Sequence, residues 1–184
     1  VDFQKLNKAC VRQTHHTESP YHLVSSVPKK VYKTTVDAWN GYHSVPLALE
    51  DQKFTTFVTP WGRYRYCVAP QGHLVSGDAF THRYDEVVKD LEPYFKKCVD
   101  DTLIWGETLE ETFFRTCEYI STCGAAGIVF NRTKLQFGHM ELEFLGFNIS
   151  ADSVSPSNSM LEAIRDFPRP TDITGVRSWF GLVN

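Results

Sequence analysis

The sequence predicts an α+β fold, an antiparallel sheet backed by helices, and three observations predict it. Six short segments rich in β-branched and aromatic residues carry a strand signal. Segments of helical length, several with capping residues, fall between them. Two of the strand segments lie close enough in sequence to form a hairpin, which argues against an all-parallel sheet. With 184 residues, 42% hydrophobic and 14% aromatic, the chain can bury a core as one domain or two small lobes, without disulfides or a structural metal.

The first strand is expected at 31–36, where Val31, Tyr32, Thr34, Thr35 and Val36 are β-branched or aromatic and Asp37 follows. Two more follow at 54–59 and 64–69, separated by Pro60 and Gly62. A helix is expected over 77–91, then the hairpin of strands 94–99 and 102–105. The helix over 107–126 carries a capping box in Thr108 and Glu111, and Leu109, Phe113, Cys117 and Ile120 mark its expected buried face. A last strand spans 144–149. A helix over 157–167 stops before Pro168 and Pro170, and another opens near Thr171 or Asp172. Neither end carries a natural start or stop signal, so the chain reads as a piece of a longer polypeptide.

Composition narrows the function. The five cysteines, Cys10, Cys67, Cys98, Cys117 and Cys123, are odd in number and form no C-x-x-C pair, so they read as reduced intracellular thiols. No apolar run approaches the roughly 18 residues that span a bilayer, and a soluble protein without a membrane partner is expected. The net charge of -3 argues against a generic nucleic-acid coat. The charge is uneven, however. Residues 1–33 hold six Lys or Arg against Asp2 and Glu18, while the remaining thirteen face twenty acids. A basic opening segment before an acidic body would set phosphate contacts beside a carboxylate site, although a solvated charged surface has the same composition.

Asp37 closes the first strand signal, and Asp100-Asp101 interrupts the apolar run from Cys98-Val99 to Leu103-Ile104-Trp105. Adjacent like charges in a hydrophobic segment are costly unless exposed, paired or bound to a cation. A tight hairpin turn would lift the pair to the tip of a sheet, where its oxygens could take a hard divalent ion such as magnesium. An Asp-Asp pair is also ordinary turn chemistry, and Asp37 could simply cap a turn.

Five blocks of sequence resemble the reverse transcriptase domain of long-terminal-repeat retroelements, nearest the gypsy-type (metavirus-like) retrotransposons and, through them, retroviral polymerases. They are Val1-Asp2-Phe3-Gln4-Lys5-Leu6-Asn7-Lys8; Asp37-Ala38-Trp39-Asn40-Gly41-Tyr42 through Leu47; Thr59-Pro60-Trp61-Gly62-Arg63-Tyr64-Arg65-Tyr66 with Val68-Ala69-Pro70-Gln71-Gly72; Cys98-Val99-Asp100-Asp101; and Glu143-Phe144-Leu145-Gly146-Phe147. The tail from Ala163 to Leu182 resembles the segment leading into a thumb. The resemblance implies a polymerase palm with partial fingers: about 1–30 and 50–75 fingers-like, about 31–49 and 76–155 palm, and 156–184 the start of thumb or connection. It implies an RNA-directed DNA polymerase, a nucleotidyltransferase, in which Asp37, Asp100 and Asp101 are catalytic and hold two Mg2+ ions, with Mn2+ as an alternative. Asn40 and Gly41 would face the triphosphate, Tyr42 would exclude a 2'-hydroxyl, and Gln71 would contact the sugar or base-pair edge. Leu145 and Gly146 would hold the primer. The implied partners are an RNA or DNA template with its primer, deoxynucleoside triphosphates and the rest of a polyprotein, namely fingertips, thumb, connection and ribonuclease H. The implied location is cytoplasmic, within a virus-like particle.

The sequence departs from the family pattern in two places. Cys98 stands where the family has tyrosine, and His73-Leu74-Val75-Ser76-Gly77-Asp78 replaces a Leu-Thr-Asn-Ala-Pro run. The family's fingertip strands would precede Val1. Two rival readings stay open on sequence alone: an inactive genomic relic, or another palm polymerase such as an RNA-dependent RNA polymerase or a cyclase. Tyr42 weighs against the second, since ribonucleotide enzymes need no bulky sugar gate. His15-His16 has no ligand-spaced partners for zinc, and His43 and His139 have no nucleophile beside them. Arg63 and Arg65 share one face of an expected strand, placed for template phosphates or for solvent.

Overall fold

The computed structural model describes residues 1–12, 15 and 17–183. Two short helices, α1 (Gln4–Ala9) and α2 (Pro20–Ser25), precede the first strand, β1 (Tyr32–Asp37). A small hairpin of β2 (Phe57–Thr59) and β3 (Gly62–Tyr64) follows, then α3 (Ser76–Val88), β4 (Phe95–Cys98), β5 (Asp101–Gly106) and α4 (Leu109–Ala125). Next come β6 (Gln136–His139), β7 (Leu142–Phe144), β8 (Phe147–Ile149) and β9 (Val154–Pro156), and finally α5 (Asn158–Arg165) and α6 (Ile173–Val183). His16, of the His15-His16 pair, lies outside the described residues.

The central sheet is antiparallel in the order β4-β5-β1-β6, and strand alternation gives it two different faces. On one face, Val36 and Ile104 pack with Phe80, Tyr84 and Val88 of α3 and with Tyr119 and Cys123 of α4. On the other, Val31, Leu103 and Trp105 pack with Val24, Val27, and Leu142, Phe144 and Ile149 of the three-stranded sheet β7-β8-β9. Leu103 and Ile104 are almost fully buried on opposite faces, each contributing about 1.5–3 kcal/mol. The expected α+β class is therefore observed, with helices on one side and a second small sheet on the other.

The helix layer is fixed to β5 by three buried hydroxyls. Thr102 Oγ1, Tyr84 Oη and Tyr119 Oη lie 3.1 Å apart pairwise, so each can donate one hydrogen bond and accept one. Burial raises both tyrosines above their ordinary pKa and pushes the neighbouring Cys123 thiol up to about 12. All three groups stay neutral.

Three expectations are corrected. Helix α4 turns Thr112, Thr116, Tyr119 and Cys123 inward and leaves Leu109 and Phe113 about half exposed. The reason is close approach: a Cβ on Gly106 would lie 2.7 Å from Thr112 N, so only small residues fit where α4 crosses β5. The Thr112 and Thr116 hydroxyls donate to Thr108 O and Thr112 O at 2.8 and 2.7 Å, which presents their methyl groups to the core. The segment 144–149 is two strands, because Leu145 and Gly146, at φ +52 and +80, form a two-residue reversal. The segment 64–69 leaves strand geometry after Tyr64, since its later partners are loops: Val68 forms one isolated bridge with Pro46, which has no N–H to extend a ladder. The expected capping box at Thr108 is present, with Thr108 Oγ1 accepting from Glu111 N at 3.1 Å.

Candidate active site

The antiparallel register of β1 on β5 sets Asp37 directly opposite Asp101. Residues 31, 33, 35 and 37 share one face of β1, and 101, 103 and 105 share that face of β5, so both carboxylates look toward the three-stranded sheet. Directly opposed residues have Cβ atoms about 4.5–5.5 Å apart. Asp100 joins them through the β4–β5 turn, where Cys98 pairs with Asp101 and only Val99 and Asp100 lie between. Ala38 N donates to Asp100 O at 2.8 Å, tying this turn to the end of β1. Val99 sits at φ +56, a conformation that costs a β-branched residue roughly 1–3 kcal/mol and persists only where surrounding structure imposes it.

A cation stands beside the acids. Lys134 Nζ donates to Asp37 Oδ2 at 2.7 Å from a helical turn that Asn131 caps by accepting from Thr133 N. The charge balance remains negative. Asp101 is pushed up to about 6 by burial and by the charges of Asp100 and Asp37, with Lys134 pulling the other way. Two partly buried carboxylates and the exposed Asp100 beside one lysine leave negative charge that favours a bound cation, and an oxygen-only donor set suits a hard divalent ion. Among the described residues, no three Asp, Glu, His or Cys side chains already converge closely enough to hold one, so a side-chain rotation would accompany binding.

Asp37 and Asp101 line one wall of a cleft of about 290 Å³. Thr35 and Lys134 flank them, and Glu143, Phe144 and Leu145 form the opposite wall. Gly146 lies in the same reversal as Leu145, with its carbonyl accepting from Ser157 N at 2.8 Å. The cleft thus brings together Asp37, Asp101 and Leu145, while Asp100, on the adjoining β4–β5 turn, does not line it.

The remaining sequence-predicted residues sit outside this cleft. Asn40 adopts φ +51 and opens a tight turn through Ser44. Gly41 presses on Phe80 so closely that a Cβ would overlap the ring, and Tyr42 meets that ring edge-on at 6.0 Å. Gln71 is exposed on a turn held by Asn7, whose amide donates to Gly72 O and accepts from Leu74 N, both at 2.9 Å. Phe3 is buried beside Tyr66 and His73, so the opening block of sequence serves to brace the Gln71 turn. Sequence reasoning did not single out Lys134 or Thr35, both of which line this cleft. Lys134 reaches an acid 97 positions away, and no local pattern signals that contact.

Carboxylates at the turn of an antiparallel sheet, opposite a glycine reversal, are the arrangement of a palm-type polymerase. The chain belongs to the reverse transcriptase (RNA-dependent DNA polymerase) family, whose sequence model matches residues 1–149. It is 29% identical to the retrovirus-related Pol polyprotein of transposon gypsy from Drosophila melanogaster, over all of this chain and 18% of that protein. It is 27% identical to the Pro-Pol polyprotein of simian foamy virus type 1, over all of this chain and 16% of that protein. In fold it is similar to the foamy viral protease-reverse transcriptase in complex with double-stranded DNA, with a TM-score of 0.87 and 23% identity over 98% of this chain and 32% of that one. The same viral protein in complex with an RNA/DNA hybrid gives 0.82 over 98% of this chain and 25% of that one. Among the described residues, no helix is long and apolar enough to cross a membrane.

Proposed function

We propose that this chain is the palm, with part of the fingers, of an RNA-directed DNA polymerase from a retrotransposon polyprotein, and that it adds deoxynucleotides to a primer 3'-end. The observation that supports this best is the pairing of Asp37 with Asp101 at the end of a cleft whose far wall is the Leu145 turn. Asp37, Asp100 and Asp101 would hold two divalent ions, Mg2+ or Mn2+. When bound, such ions neutralise triphosphate charge and activate the primer hydroxyl.

The chain's own groups would bind and orient. The Leu145-Gly146 reversal would press the primer end toward the acids, and Lys134 would hold Asp37 in place before the ions arrive. Tyr42, braced edge-on by Phe80, is suited to stand under the sugar and clash with a 2'-hydroxyl. The Asn40-Gly41 turn would offer backbone N–H groups to the triphosphate, and Gln71 would meet the nascent base pair. In this reading 1–30 and 50–75 are fingers-like, 31–49 and 76–155 are palm, and 156–184 begin the thumb or connection. The partners are a primed RNA or DNA template, deoxynucleoside triphosphates and the rest of the polyprotein, within a cytoplasmic virus-like particle. The similarity to transposon and viral polyproteins supports both.

Primer extension on an RNA template, with deoxynucleotides and magnesium, tests the proposal in a protein carrying the flanking regions. Asp100→Asn should abolish extension while leaving circular dichroism unchanged and melting no lower than wild type, since it also relieves repulsion on Asp101. Extension by this variant at near wild-type rate would refute the assignment.

A further inference from the structure

A lysine is buried beneath the small sheet with carbonyl oxygens for partners. Lys33 lies on the face of β1 that carries Val31, Thr35 and Asp37. It is 0% exposed, and among the described residues no other Lys, Arg, Asp or Glu is buried. Its Nζ donates to Val31 O at 3.0 Å and to Met140 O at 2.7 Å. Burial lowers its pKa, and the charge of Glu141 opposes that shift. A methionine of similar shape would fill the site without desolvating a charge, so packing alone does not account for the lysine.

The Met140 carbonyl stands at a corner of the fold. The β1–β6 ladder ends on the Lys33–His139 pair and β7 begins at Leu142, so the chain crosses from the central sheet to the small sheet through Met140 and Glu141. No ladder joins the two sheets. Leu142 and Phe144 pack with Leu103 and Trp105, but apolar burial is non-directional and does not by itself fix how far one layer slides over the other. The Lys33–Met140 hydrogen bond is directional, and it ties the corner to the strand that ends in Asp37. Because β7 spans only Leu142–Phe144, what fixes Met140 also places the cleft wall of Glu143, Phe144 and Leu145.

We infer that Lys33 is a positioning residue: by pinning Met140 it sets the distance across the cleft between the Asp37–Asp101 pair and the Leu145-Gly146 turn. This rests on the polymerase reading above, in which that turn presses the primer end toward the acids. Lys33 itself touches neither primer nor ions. A misplacement of about 1 Å in such an alignment can cost about a hundredfold in rate.

Lys33→Met, in the protein with its flanking regions, removes the hydrogen bond and keeps the bulk. Amide hydrogen exchange in β7 and β8 should quicken about tenfold while β1 and β5 keep wild-type protection, because the small sheet loosens on an intact central sheet. In primer extension kcat should fall roughly ten- to hundredfold, with the nucleotide KM and the duplex dissociation constant within about twofold of wild type. Unchanged kcat, or unchanged exchange in β7 and β8, would overturn the inference. So would faster exchange across both sheets alike, or failure of the variant to fold, since either makes Lys33 a general stability element. Wild-type protein that extends no primer would instead remove the polymerase reading, and the positioning role with it, even where the exchange result stands.

Discussion

Replacing Asp101 with asparagine should stabilise the metal-free protein at neutral pH, although it removes a proposed catalytic group. Asp101 faces Asp37 across the β1–β5 ladder and neighbours Asp100, and burial with those two charges pushes its carboxyl up to about 6. The unfolded chain releases this proton near pH 4, so between about pH 4 and 6 the folded state binds more protons than the unfolded one. Stability from this group is thus full below pH 4, falls as pH rises through 6, and is lost above. A two-unit shift corresponds to about 2.7 kcal/mol, which solvent screening of a partly exposed side chain reduces to about 1–2 kcal/mol. For a chain of this size, Asp101→Asn should then raise the melting temperature by roughly 2–8 °C at pH 7.5 in a chelator and by almost nothing at pH 4. Added magnesium should stabilise wild type by mass action and the variant far less. Differential scanning calorimetry at both pH values, with and without magnesium, reads all three effects. A variant that melts lower than wild type at pH 7.5, or responds equally to magnesium, would refute the electrostatic account.

Other perturbations bear on separate parts of the structure. Tyr42→Val removes the ring that Phe80 holds and should admit ribonucleotides, measured as the ratio of kcat/KM for deoxy- and ribonucleotides; an unchanged ratio would remove the gate role. Thr102→Val deprives the Tyr84 and Tyr119 hydroxyls of a shared partner and should cost about 1–3 kcal/mol in denaturant unfolding, with a cost near zero counting against the buried hydroxyl ring. Gly41→Ala drives a methyl group into Phe80 and should destabilise by about 1–3 kcal/mol. Wild-type stability in that variant would mean the turn moves freely.

Much of this was legible because its signals are local. The hairpin that carries Asp100 and Asp101 shows itself through two apolar runs and a polar turn, and α5 starts one residue after its capping serine, Ser157. The convergence of Asp37 on that hairpin followed from family resemblance, and the register then supplied the geometry. What sequence concealed was tertiary. Helix α4 buries threonines rather than its leucine and phenylalanines, because Gly106 brings the strand too close for large side chains. Leu145 gave no sign of its left-handed conformation, since leucine seldom adopts it. Lys134 meets Asp37 only because β6 lies beside β1, which brings together segments about a hundred residues apart.

The central claim is that Asp37, Asp100 and Asp101 jointly hold divalent cations. Electron paramagnetic resonance of Mn2+ titrated into the protein with a primer–template and a nucleotide measures this directly. Wild type should hold two ions per chain, and the asparagine variant of each aspartate should weaken binding at least tenfold. Full Mn2+ affinity in any one of the three variants would contradict the account.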